Sequence, residues 1–129
     1  MGQSLKSVLI VFAGSGFGGV ARYGMQTWIF KTYPSTFPLG TFVVNILGCF
    51  LIGLFYTLSE KTNVISPDWR LALTTGLCGG FTTFSTFGYE NMNLLKTGNY
   101  WYFILYTIAS VVLGIAAVFG GIFITRYVL

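Results

Sequence analysis

Gly79-Gly80-Phe81-Thr82-Thr83-Phe84-Ser85-Thr86-Phe87 is the stretch on which the reading of this chain turns. Its surroundings are too apolar for water, yet it carries paired glycines, four hydroxyls and phenylalanines at Phe84 and Phe87. Two adjacent glycines weaken a helix. Inside a bilayer, carbonyls released at such a weak point must face protein, an ion or water, because lipid has no donor for them. The stretch therefore predicts a helix broken near its middle, with something polar handled at membrane depth.

Outward from that point the chain is apolar almost throughout. Hydrophobic residues make up 54% of its 129 residues and charged residues 8%, with a mean hydropathy of +0.75. That composition excludes an ordinary soluble domain. Four segments escape charge almost entirely: Ser7 to Phe30 with Arg22 as the exception, Thr32 to Ser59, Leu71 to Tyr89, and Thr97 to Thr125. A spanning helix needs ~20 apolar residues. The four segments thus predict a single all-α transmembrane domain over residues 1–129, with short turns near Pro34, Asn63 to Pro67, and Gly98. No soluble part is left to hold a nucleotide, nucleic acid or a large substrate. The first segment runs on through Arg22 to Phe30 without a polar region after it, so a retained span is expected rather than a secretory signal.

Seven Lys and Arg against three acids leave a net charge of +4, too small and too scattered for a nucleic-acid surface. Small anions and the lipid bilayer are the expected partners. Four spans put both termini on one side with the connection between spans two and three, which gathers Lys6, Lys61, Arg70 and Arg126 there. The other side has Lys31 and Lys96, and Arg22 lies within span one nearer to it, a tally of four against three. So weak a bias leaves insertion possible both ways up. A four-helix unit this small has little interior for a wet path, so a homodimer is expected. Dual insertion makes it antiparallel, with its two-fold axis in the membrane plane. Gly14 with Gly18, Gly76 with Gly80, Ser110 with Gly114, and Ala117 with Gly121 are each four apart. Such pairs let backbones approach, within one chain or across a dimer face.

Enzyme chemistry is poorly supported. Histidine is absent, and the three acids, Glu60, Asp68 and Glu90, stand at span ends or in a turn. A serine nucleophile has no lysine, histidine or acid beside it in the spans, and Cys and His clusters for a transition metal are missing. Cys49 and Cys78 read as small apolar packing residues. Phe84 and Phe87, three apart, share a helix face. The positive edges of their rings suit a small anion stripped of water, with donors from Asn45, Thr86 or a backbone N–H; filling a helix interface is the plainer reading. Asn45, the amide deep in span two, fits an interhelical hydrogen bond as well as a ligand contact. Arg22 at depth either raises the local anion concentration at a pore mouth or snorkels to the nearer surface. Carbonyls at Gly79 and Thr82 are the choice for a hard cation, against a simple kink. Glu90, one turn beyond Phe87, belongs at the water boundary.

Three motifs then carry a resemblance: Gly79 to Phe87, Gly-Thr-x-x-Val-Asn at Gly40 to Asn45, and Gly-x-x-x-Arg at Gly18 to Arg22. The chain resembles the Fluc (CrcB) fluoride channels along essentially its whole length. The resemblance implies a passive fluoride-selective channel that exports toxic fluoride across a bacterial inner membrane. It also implies an antiparallel dual-topology homodimer with two pores and one structural sodium ion at the interface. By motif, Phe84 and Phe87 are similar to the pore phenylalanines and Asn45 to the pore asparagine. The carbonyls of Gly79 and Thr82 are similar to the sodium ligands, and Arg22 to a vestibule arginine. Thr41 and Glu90 resemble a polar pair near one pore mouth, while Tyr106 and Ser110 resemble a polar track on span four. That track is interrupted at Gly114, where some relatives place another hydroxyl. The alternative is a dual-topology proton-coupled exporter of cationic drugs, which needs a carboxylate within the membrane; span one has none.

Overall fold

The computed structural model describes residues 2–61 and 65–129; Asn63, expected in a turn, lies outside them. Three unbroken helices, α1 (Gly2–Thr32), α2 (Leu39–Lys61) and α6 (Tyr100–Tyr127), are each long and apolar enough to cross a membrane. The segment between α2 and α6 is built differently. A short α3 (Pro67–Leu71) passes through a π-helical stretch, Ala72–Cys78, into α4 (Gly79–Phe81), and α5 (Phe84–Lys96) starts after two extended residues. All regular structure among the described residues is helical.

Prolines and one glycine set the joints. The second span is expected from Thr32, but α2 begins only at Leu39. Pro34 and Pro38 push the residues before them out of the helical region, which keeps residues 33–38 irregular. At Gly98 the backbone turns left-handed, with φ of 77°. Glycine adopts that conformation without a Cβ penalty, and it lets the Gly98 and Asn99 N–H groups bond back to the carbonyls of Leu95 and Leu94 at 3.2 and 2.8 Å. That closes the end of α5 as a Schellman turn.

Lys6 pairs with Asp68 at 2.6 Å, joining the start of α1 to α3. Lys61 Nζ donates to the carbonyls of Thr125 and Arg126 at 2.9 and 3.1 Å, joining the end of α2 to that of α6. The starts of α1 and α3 are thus joined to each other, as are the ends of α2 and α6. The Lys61 ammonium also satisfies carbonyls that the end of a helix leaves without donors.

The stripes of small residues act within the chain. A Cβ on Gly14 or Gly18 would meet the backbone at Ala72, Gly76 and Leu77, and one on Gly80 would meet Ser15. Gly53 and Gly121 press in the same way on the backbones at Val118 and Phe50, joining α2 to α6. Bringing backbones this close maximises dispersion contact where lipid supplies no hydrophobic drive. Tyr106, Val44, Thr74 and Thr125 fill the small core. Elsewhere large apolar side chains such as Phe12, Phe17 and Phe119 stand outward.

Candidate functional site: a helix break beside a ring-lined groove

Thr82 (φ −92°, ψ 156°) and Thr83 (φ −150°, ψ 117°) are extended, whereas Gly79 keeps helical angles of −62° and −39°. The break predicted at the glycine pair thus falls after it. Gly80 serves close approach to α1, and the two threonines supply the chemistry that stops one helix and starts the next. Thr83 caps α5: its hydroxyl oxygen accepts the Thr86 N–H at 3.2 Å, and its proton goes to Thr86 Oγ1 at 3.1 Å.

Asn45 holds the break from α2. Its Nδ2 donates to the Thr83 carbonyl at 3.2 Å, and its Oδ1 accepts the Thr83 N–H at 2.8 Å, so the amide replaces the backbone acceptor that the N–H has lost and adds a donor to the carbonyl. Arg22 Nε donates to the Gly80 carbonyl at 3.0 Å. The guanidinium is therefore turned back onto the break and away from the helix end to which a snorkelling side chain would reach.

Two carbonyls lose their usual donors in consequence. In an unbroken helix the Thr83 N–H would close on Gly79 and the Thr86 N–H on Thr82. Here those groups are taken by Asn45 Oδ1 and Thr83 Oγ1. Gly79 and Thr82, the two positions expected to ligate a cation, both line a groove of about 330 Å³.

Asn45, Thr83, Phe84, Phe87 and Ser110 line the same groove. Thr86 does not; its capping partner Thr83 takes the wall position. Phe84 is 83% exposed in the single chain. Ser110 Oγ is buried with no hydrogen-bond partner. Gly114, one turn further along α6, lies 3.5 Å from Cys49 Sγ measured from the Cβ it lacks.

From the groove a ladder of rings leads away. Phe84 and Phe87 have centroids 5.6 Å apart, and Phe87 and Tyr106 4.8 Å apart. Tyr106 is completely buried, edged by Phe37 at 5.3 Å. Its hydroxyl donates to Glu90 Oε1 at 2.9 Å, and Thr41 Oγ1 donates to Glu90 Oε2, also at 2.9 Å. Glu90 and Phe37 border a second cavity of about 370 Å³ beyond the ladder.

The predicted residues thus form two groups. Arg22, Asn45, Gly79, Thr82, Phe84, Phe87 and Ser110 gather at the break and the groove, while Thr41, Glu90 and Tyr106 close the far end of the ladder. Sequence reasoning passes over Thr83, Phe37 and Gln26. Thr83 is findable from its spacing to Thr86, three residues on, which suits a helix cap. Gln26 stands one turn after Arg22 on the same helix face. Phe37 gives no local signal.

Comparison with known proteins places this architecture. The family described as CrcB-like protein, Camphor Resistance (CrcB), matches residues 9–122. The chain belongs to the CrcB family. A relative in Phocaeicola vulgatus, named fluoride-specific ion channel FluC, is 54% identical over 122 residues, covering 95% of this chain and all of that one. Proteins of the same name in Gloeothece citriformis and Flavobacterium psychrophilum are 47% and 44% identical, each covering 95% of this chain and 98% of their own. All three carry the name of a channel and not of an enzyme. With its three membrane-length helices, this CrcB protein is a multi-pass protein of a bacterial plasma membrane.

Proposed function

We propose that the protein is a passive fluoride channel whose ion path runs along the groove and the ring ladder. The observation that carries this reading is the chemistry of the groove wall. The rings of Phe84 and Phe87 and the unspent hydroxyl of Ser110 line it, and among the described residues no charged side chain does. A small anion needs donors and positive ring edges in exchange for its water. An organic cation would need a carboxylate at depth, and α1 contains none. That absence from α1 counts against the exporter alternative.

The working unit is an antiparallel dimer of chains inserted in opposite orientations. One chain leaves Phe84 exposed and the groove open along its length; a second copy packed against that face closes it, and the symmetry gives two equivalent paths. The Gly79 and Thr82 carbonyls, stripped of their helical donors, suit a hard monovalent cation such as sodium, which takes oxygen ligands. The partner copy doubles the set. Bound there, sodium supplies positive charge that holds two broken helices together. Arg22 fixes the neighbouring Gly80 carbonyl, and Asn45 fixes Thr83, so the remaining carbonyls keep their aim.

The deciding experiment is ion efflux from liposomes holding the purified protein, read with a fluoride electrode beside a chloride electrode. Fast fluoride loss without chloride loss, needing no proton gradient, is expected. Equal loss of both ions, or dependence on a proton gradient, would refute the proposal.

A further inference from the structure

Gln26 belongs to neither the groove nor the outer cavity, yet it ends a hydrogen-bonded chain that reaches the ring ladder. Its Nε2 donates to Thr41 Oγ1 at 3.0 Å, and Thr41 Oγ1 donates to Glu90 Oε2 at 2.9 Å. Thr41 is only 2% exposed, so water cannot readily substitute for either partner. Helix packing sets the placement: a Cβ at Gly40 would stand 3.2 Å from Gln26 Cα, so α1 and α2 meet closely here.

A threonine hydroxyl has one proton to give and can accept in return. With its accepting side occupied by the Gln26 N–H, the Thr41 proton is directed at Glu90. The carboxylate then receives two donors, Thr41 on one oxygen and Tyr106 on the other. An acid released from one of them would stand as a mobile negative charge beside an anion path and lower the local concentration of the ion.

Building on the channel reading above, we propose that Gln26 is a positioning residue for conduction: it orients the Thr41 hydroxyl and so keeps Glu90 pinned between Thr41 and Tyr106. The test is fluoride efflux from liposomes with Q26L, Q26E, T41V and Q26L/T41V, each checked for a monodisperse size-exclusion profile. Losing the oriented bond in Q26L slows efflux about three- to tenfold. Q26E keeps the shape of glutamine but offers the hydroxyl a competing acceptor, and slows efflux more than Q26L. In the T41V background Q26L changes the rate by less than about twofold, because the group it acts through is gone.

A role in packing alone predicts Q26E close to wild type, or Q26L and T41V multiplying in full; either result overturns the proposal. Should Q26E fail to fold, the cycle of Q26L with T41V decides by itself. A wild-type protein that passes no fluoride would instead bring down the channel reading, and the role of Gln26 with it.

Discussion

Both ends of the Phe84–Phe87–Tyr106 ladder set hydroxyl groups beside aromatic rings, but one has a carboxylate at its centre and the other a serine hydroxyl without a partner. At the Tyr106 end the tyrosine, threonine and carboxylate are hydrogen-bonded to one another around a fully buried ring. At the Phe84 end a serine hydroxyl has no partner, two carbonyls have lost their helical donors, and the ring stands open. A satisfied cluster contributes stability, whereas buried groups left unsatisfied cost it unless something else completes them. On the proposed channel reading, the contrast separates a part of the path that would bind the ion from a part that holds its shape.

The harshest way to break the contrast is Asn45→Ala, which removes two hydrogen bonds from the Thr83 backbone. It should abolish fluoride efflux and destabilise the fold by about 2–4 kcal/mol, read from chemical unfolding in detergent. Phe84→Ile keeps apolar bulk and removes ring edges; efflux should fall about tenfold with unfolding unchanged. Undiminished efflux would count heavily against the ring-edge account.

Ser110→Ala against Tyr106→Phe sharpens the comparison directly. The serine change removes an unspent donor, so efflux should drop about fivefold with no loss of stability. Tyr106→Phe removes a bond to a carboxylate and should cost about 1.5–3 kcal/mol of stability. If instead Ser110→Ala destabilises the protein, its hydroxyl is already used and the open end is not open. The mildest expectation concerns sodium: replacing it with a bulky organic cation should lower the thermal midpoint by about a few degrees, in proportion to the logarithm of sodium concentration. A midpoint indifferent to sodium would remove the carbonyl site.

Much of this is legible from residue order, because bilayers restrict what a charge-free run can be. Four segments, their shared end and the polar interruption come from charge spacing and hydroxyl content alone. Residue order puts the interruption at Gly79 and Gly80, since glycine lowers helix propensity. In the fold Gly80 is committed to the contact with α1, pressed against Ser15, while Gly79 keeps helical angles and lines the groove, and only tertiary neighbours reveal that division. The start of α2 escapes a reading by charge because an apolar run hides two prolines whose effect falls on the residue before each. Asn45 and Arg22 are legible as costly polar groups at depth. Gln26 and Phe37 are not, for each matters through residues distant in sequence.

The π-helical stretch Ala72–Cys78 has a consequence for how this segment tolerates length changes. A wide turn accommodates one residue more than an α-helical path of the same height. Each residue added or removed in a helix rotates all later side chains by about 100° about the axis. Deleting a single position there would let the stretch relax to ordinary winding with Thr82, Thr83 and Phe84 still turned toward Asn45, whereas the same deletion in α5 would swing every later side chain round the axis. The wide turn thereby acts as a length buffer ahead of the break.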